Sequence, residues 1–194
     1  MTGWRAVVPI KPSADRKSRL RGAYSAEAIE TLTERMLQHV LGVLTASQAI
    51  DAVTLLAGAP HPGWDGDWFP DRGNGLNEAL LELVQNFPHR LVIIHADLPA
   101  LQPTDIEALV AAAAQGSALA PDRRERGTNA LALQDAQSMS FCFGPDSFDR
   151  HRKLLPRSRV VHRFGLALDI DVPEDLAVAI SRNHLAFENS PQLK

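Results

Sequence analysis

The chain of 194 residues has the length of one ordinary domain, enough to bury a core without disulfide or metal staples. Apolar residues at 45% and charged residues at 22% exclude a largely disordered chain, and a net charge of −3 lacks the basic excess typical of duplex-binding proteins. A single cysteine, Cys142, excludes an internal disulfide and a cysteine-rich zinc site; it reads as a small apolar filler in a strand. No run of about 18 apolar residues occurs, so no membrane span is expected. The opening Met1-Thr2-Gly3-Trp4-Arg5 lacks the pattern of a signal peptide, so the expected compartment is the cytoplasm.

Residues 6–10 are predicted as the first strand, followed by a polar loop carrying Lys11, Asp15, Arg16, Lys17, Arg19 and Arg21. Ser25 suits the N-cap of a helix reaching about residue 47. On it, Ile29, Leu32, Met36, Leu37, Val40, Leu41 and Leu44 recur at helical spacing and form one apolar face. Residues 52–57 read as a buried strand, 58–74 as a loop rich in Gly, Pro, Asp and Trp, and 76–87 as a helix. The clearest strand is 91–96; beyond a short loop, Thr104 with Glu107 has capping-box spacing and opens an alanine-rich helix. Strands are then expected at 129–133, 138–143, 159–164 and 167–171, with a short helix near 147–154. Pro173, Glu174 and Asp175 suit the first turn of a last helix. This order predicts an α/β fold: one domain over residues 1–183, a mostly parallel sheet covered by helices on both faces, and a polar tail over 184–194.

In such a sheet, ligands bind at the carboxyl ends of the strands. Asp97 directly follows the strand at 91–96, while Asp169 and Asp171 alternate along the expected last strand and so share one side. Like charges on one side repel unless a cation lies between them, and oxygen-only donors suit Mg²⁺. Taken singly, Asp97 also suits a loop carboxylate accepting backbone N–H groups, and Asp171 a helix N-cap ahead of Pro173. Lys11, Lys17 and Arg19 lie in the first strand-to-helix loop, a place for phosphates, though neither glycine-rich phosphate-loop pattern occurs. The same charges fit a solvated loop. Gly75, Leu76 and Asn77 stand at a helix start, where a ligand can approach the backbone and an anion is favoured, or where a tight turn alone needs glycine. Thr128, in a charged turn, suits a cap or an anion contact, and the seven histidines show no metal-ligand spacing.

A set of short motifs follows in order from about residue 7 to 176. It begins with Val8-Pro9-Ile10-Lys11-Pro12, Lys17-Ser18-Arg19-Leu20, Gly75-Leu76-Asn77 with Ala79-Leu80, and Ala96-Asp97-Leu98-Pro99. It continues with Ala120-Pro121-Asp122-Arg123, Gly127-Thr128-Asn129-Ala130-Leu131, Phe143-Gly144-Pro145-Asp146-Ser147-Phe148 and Leu168-Asp169-Ile170-Asp171. The set resembles the guanylyltransferases that make guanylylated phospho-acids for the deazaflavin coenzyme F-420, whose acceptors are 2-phospho-L-lactate, phosphoenolpyruvate or 3-phospho-D-glycerate. The resemblance implies a nucleotide-diphospho-sugar-transferase-like, Rossmann-like fold, GTP as donor and Mg²⁺ as cofactor. It implies Asp97, Asp169 and Asp171 as metal ligands, and Lys11, Lys17 and Arg19 at the triphosphate. Thr128, Gly144 and Ser147 would meet the acceptor's phosphate and acid groups; Gly75, Leu76 and Asn77 would lie by the nucleotide or the acceptor carboxylate. The chain is closer to the bacterial versions, which makes phospholactate the least favoured acceptor. A homodimer and a downstream transferase that takes the unstable product are further expected partners; nucleic acid and membrane are not.

The reaction so implied needs no general base, because a phosphate nucleophile is already deprotonated near neutral pH. Catalysis would rest on positioning and electrostatics. Two alternatives stand beside it: nucleotidyl transfer to another acceptor, such as molybdopterin or a sugar phosphate, and a non-catalytic nucleotide-binding domain. The loop with Trp64 and Trp68 and the charges Arg124-Glu125-Arg126 depart from the family pattern and leave the acceptor open.

Overall fold

Seven strands form one mixed sheet in the computed structural model, which describes residues 3–10, 17–87 and 89–182. Lys11 and the expected tail lie outside the described residues. The strands are β1 (Trp4–Pro9), β2 (Ile50–Ala57), β3 (Asp67–Pro70), β4 (Leu91–Ile94), β5 (Ser117–Pro121), β6 (Thr128–Leu133) and β7 (Arg159–Val160), in the order β3-β2-β1-β4-β6-β5-β7. β6 runs antiparallel to β4 and β5; every other pairing is parallel. This reversal matters for the site. β6 begins where β4 ends, with Ala130 opposite Ile94 and the His95 N–H donating to the Asn129 carbonyl at 2.9 Å. The first residues of β6 therefore share an edge with the carboxyl ends of the parallel strands.

The helices are α1 (Ala26–Ala46), α2 (Leu76–Asn86), α3 (Pro103–Ala112), α4 (Ser147–Leu154), α5 (Phe164–Ala167) and α6 (Pro173–Ser181). Ser25 caps α1 as expected, its Oγ accepting from the Ala28 N–H at 3.2 Å. All seven apolar residues singled out on this helix are buried. Alternation along the strands sorts the core: Ala6, Val8, Val92 and Ile94 face α1 and α3, while Val7, Leu91 and Ile93 face α2 and α4. A third cluster joins the first turns of α1 to α6 through Ile29, Leu32, Leu168, Ile170 and Leu176.

Several local expectations are corrected. The region 58–74 holds β3, an edge strand that tolerates Asp67 and Pro70 because its outer side has no partner. Trp68 Nε1 donates to the Ala57 carbonyl at 3.0 Å, and Arg5 pairs with Asp67, which ties this edge down. β5 was hidden by its alanine-rich sequence, which favours helix locally but here is buried in the sheet. The helix near residue 104 starts two residues earlier than the Thr104–Glu107 spacing suggests, with Gln102 as N-cap: Asp105 Oδ2 accepts from the Gln102 N–H at 2.9 Å. Of the expected strand 159–164 only Arg159–Val160 pairs, and Phe164 opens α5.

The stretches 138–143 and 167–171 do not join the sheet, so Cys142 sits in irregular chain rather than a strand. Both nevertheless alternate as strands do: Met139, Phe141 and Phe143 are buried in one, Leu168 and Ile170 in the other. What is missing is a neighbouring strand. Their backbone groups bond side chains and isolated carbonyls instead.

Candidate active site

The carboxyl edge of the sheet carries a cluster of three carboxylates. Asp97 follows β4, and Asp169 and Asp171 lie in the extended stretch between α5 and α6. One oxygen from each lies within 4.8 Å of the others. The Ile170 N–H donates to the Asp97 carbonyl at 3.3 Å and brings the two segments side by side. Lys17 reaches in from the first loop, at the left-handed backbone angle φ 50°. Its Nζ pairs with Asp97 Oδ2 and with Asp171 Oδ1, the latter at 3.0 Å. Arg19, largely exposed, stands 4.0 Å from Asp171 Oδ2.

The charges are strongly perturbed. Burial alone would lower the Lys17 ammonium, but the Asp97 and Asp171 carboxylates outweigh it and hold it above the usual lysine range. Burial works to raise Asp97, yet Lys17 and His95 hold its carboxyl below the ordinary value. Among the described residues, no lysine bonds to Asp169. Burial, then the negative charges of Asp97 and Asp171, push it up to about 7.

The cluster fits a hard divalent cation. Asp97 Oδ1 is buried without a hydrogen-bond partner among the described residues, a costly state that a ligand would relieve. The donor set is all oxygen, which suits Mg²⁺ or Mn²⁺.

A second network adjoins it. Thr128 and Asn129 open β6. The Thr128 N–H donates to Ser147 Oγ at 2.9 Å, and Thr128 Oγ1 contacts His151 Nδ1 at 2.9 Å. The Cys142 N–H donates to His151 Nε2 at 3.3 Å. That bond fixes the imidazole: Nε2 accepts, so Nδ1 carries the proton and donates to Thr128. Burial, then Arg150 and His95, push the His151 pKa down to about 4, which keeps the ring neutral. On the other side, Asn77 holds Phe143 at both backbone groups: its Nδ2 donates to the carbonyl at 3.1 Å and its Oδ1 accepts from the N–H at 2.8 Å. Asn77 thus supplies what a neighbouring strand would. Gly144 follows at φ 121°, a conformation open to glycine, and Asp146 turns the chain into α4.

The structure therefore brings Lys17, Arg19, Asp97, Asp169 and Asp171 together, and Thr128, Ser147 and Asn77 into the adjoining network. The hydroxyls of Thr128 and Ser147 are buried and bonded inside the protein. Leu76 packs into the α2 core and Gly75 caps α2 at φ 99°; no contact joins either to the carboxylates among the described residues.

Three supporting residues escaped the sequence reading. Asn129 Nδ2 donates to Asp169 Oδ1 at 3.2 Å and to the Leu166 and Ala167 carbonyls at 3.0 and 3.2 Å. Buried Asp175 accepts from the Asp171 and Val172 N–H groups, both at 3.1 Å, and pairs with Arg123 at 2.7 Å. Its place at the third helical position was the available signal, read only as complementing the helix dipole. His151 carried no local signal; its role exists only once α4 packs on β6.

The family described as "Guanylyl transferase CofC like" matches residues 4–183. A phosphoenolpyruvate guanylyltransferase of Sphaerobacter thermophilus is 39% identical, with 88% of this chain and 89% of that relative covered. One of the same name from Chloroflexus aggregans is 34% identical over 87% of this chain and 93% of its own length. A crystal structure from Desulfovibrio desulfuricans G20, assigned to the nucleotide-diphospho-sugar transferases, superposes with a TM-score of 0.77 at 15% identity, covering 98% of this chain and 90% of its own, and so supports the fold. The family match spans nearly the whole chain and the relatives are 34–39% identical over most of it, so the chain belongs to the CofC-like guanylyl transferase family.

Proposed function

We propose that the protein transfers GMP from GTP to the phosphate of a three-carbon phospho-acid, with phosphoenolpyruvate as the first acceptor to test and 3-phospho-D-glycerate next. The observation that carries this is the Asp97–Asp169–Asp171 cluster with Lys17 at its centre, in a chain whose relatives are named for that reaction on phosphoenolpyruvate. An acceptor phosphate oxygen attacks the α-phosphorus of GTP; the new O–P bond forms as the bond to the β-phosphate oxygen breaks, and pyrophosphate leaves.

Both reactants are anions, so their repulsion is a large part of the barrier. Asp97, Asp169 and Asp171 would hold Mg²⁺, which supplies charge neutralisation and alignment of the two anions. Lys17 and Arg19 sit where they can meet the triphosphate, and Lys11 is proposed for the same task. Thr128, Gly144 and Ser147 belong to the acceptor side, with Asn77 and His151 holding that segment in shape. Gly75 and Leu76 are assigned to the nucleotide side. No positioned base is required. The same reading places residues 1–183 in one nucleotidyltransferase domain with a polar tail at 184–194. It places the protein in the cytoplasm, as a homodimer that hands its product to a downstream transferase; no helix among the described residues is long and apolar enough to cross a membrane.

The test is pyrophosphate release from GTP and Mg²⁺ with phosphoenolpyruvate, 3-phospho-D-glycerate and 2-phospho-L-lactate offered separately. Release with phosphoenolpyruvate alone is expected. Release with none of the three, while GTP still binds, would overturn the reading.

A further inference from the structure

Asp169 differs from its two partners in the cluster. Lys17 holds Asp97 and Asp171, whereas among the described residues the side chain bonded to Asp169 is that of Asn129. Asn129 is itself almost immobile. It is 1% exposed, and its Nδ2 also donates to the Leu166 and Ala167 carbonyls at the end of α5, just upstream of Asp169. Its main chain lies in β6, and its carbonyl accepts from the His95 N–H, two residues ahead of Asp97. One residue thus indexes the segment carrying Asp97 against the segment carrying Asp169. It can do so because β6 is reversed and opens at the carboxyl end of β4. α5 is pressed close on the other side: a Cβ at Gly165 would lie 2.7 Å from the Ala100 carbonyl, so the turn carrying Leu166 and Ala167 has little room to drift.

We propose that Asn129 is a positioning residue for the metal-binding carboxylates, fixing Asp169 Oδ1 so that the other oxygen of this carboxyl faces the cation shared with Asp97 and Asp171. The inference rests on the metal reading above and adds to it a residue that touches no substrate. Partners that orient metal ligands typically change metal affinity by about 10–100-fold when removed.

The experiment is a Mn²⁺ titration of the full chain by water-proton relaxation, without nucleotide, on wild type, Asn129→Ala, Asn129→Ser and Asp169→Asn, with folding checked by circular dichroism. Serine is too short to reach Asp169 but keeps a polar group for the buried carbonyls, so it carries the test if the alanine variant does not fold. Both Asn129 variants are expected to weaken Mn²⁺ binding about 10–100-fold. In turnover, the Mg²⁺ needed for half-maximal rate should rise by a similar factor, with kcat at saturating Mg²⁺ changed only a few-fold. Folded Asn129 variants that bind Mn²⁺ as wild type does, while Asp169→Asn does not, would overturn the assignment of Asn129. Unchanged Mn²⁺ binding in Asp169→Asn as well would instead remove the metal reading itself.

Discussion

The two halves of the site are built on opposite principles. The carboxylate cluster is charged, partly open to solvent, and leaves Asp97 Oδ1 without a partner among the described residues. The network of Thr128, Ser147, His151 and Asn77 is neutral, and its polar side-chain groups bond inside the protein. A charged, under-satisfied cluster can exchange one cation for another as ligands arrive. A neutral, satisfied network has nothing to gain by rearranging and holds its segment in one shape. Under the proposed function, the first half supplies the chemistry and the second holds the shape.

The largest effect is expected at Asp97. Replacing Asp97 by Asn keeps the volume but removes the charge, and a metal contributes several kcal/mol of transition-state stabilisation, so turnover should fall by at least about 100-fold. Stability should change by less than about 1 kcal/mol, because Lys17 keeps Asp171 as a partner. Pyrophosphate release and a thermal melt together check this; substantial turnover at ordinary Mg²⁺ would remove Asp97 from the chemistry.

His151→Ala should do the reverse. It strands the Cys142 N–H and the Thr128 hydroxyl and opens a cavity beside Phe143, at a cost of roughly 3 kcal/mol. In a domain of this size that lowers Tm by about 6–12 °C. The acceptor KM should rise while Mn²⁺ affinity stays that of wild type; a selective loss of metal binding would erase the distinction drawn here.

The two regions should also answer pH with opposite sign. His151 is depressed to about 4 in the folded protein against an ordinary 6.5, so its contribution is fully present above pH 6.5 and is lost as pH falls toward 4. That loss amounts to roughly 2–3 kcal/mol by pH 4.5. Asp169 is raised to about 7 from an ordinary 3.8, so its contribution is present below 3.8 and is lost as pH rises through 7. Urea unfolding of metal-free wild type and His151→Gln across this range separates them: the variant should lose the acid-side decline and keep the alkaline one. Lys17→Met sharpens the charged half further. Without the lysine the cluster loses the cation bonded to Asp97 and Asp171, so saturating Mg²⁺ should raise Tm by a few degrees more than in wild type. Equal shifts would mean that Lys17 and the metal do not share the site.

How much of this was legible follows from where the information lies. The apolar face of α1, the Ser25 cap and the strand before Asp97 are written in local periodicity and were read from it. The three aspartates were paired correctly from a premise that fails, since 167–171 is not a strand. Its alternation still buries Leu168 and Ile170 and sets both aspartates on the other side, toward Asp97. The stretch 138–143 repeats the lesson, with Asn77 and His151 taking the place of a ladder. Side chains that serve as backbone partners come from elements about 10 to 70 residues away, and no local pattern announces them. The Asn129 hub is of this kind: its role depends on the reversal of β6, which composition and periodicity do not encode.

The smallest test probes the turn that joins these regions. Asp146 sits at φ 52°, where a Cβ is strained, and accepts two bonds from Arg126 at 2.8 and 2.9 Å with both side chains largely exposed. An exposed pair of this kind is worth roughly 0.2–1 kcal/mol, while a non-glycine residue in the left-handed region costs about 1–2 kcal/mol, less for Asp. Asp146→Ala loses the pair and keeps the strain, and alanine tolerates that backbone worse than aspartate. Asp146→Gly loses the same pair but relieves the strain, offset in part by the greater freedom of glycine in the unfolded chain. The glycine variant should therefore be the more stable of the two by about 1 kcal/mol, or about 2–4 °C in a thermal melt. If alanine proves equal or better, the left-handed backbone at residue 146 is not a source of strain in this turn, since both variants lack the ion pair equally. The ion pair is isolated separately, by comparing the glycine variant with wild type, where its loss and the relief of strain act in opposite directions and should nearly cancel.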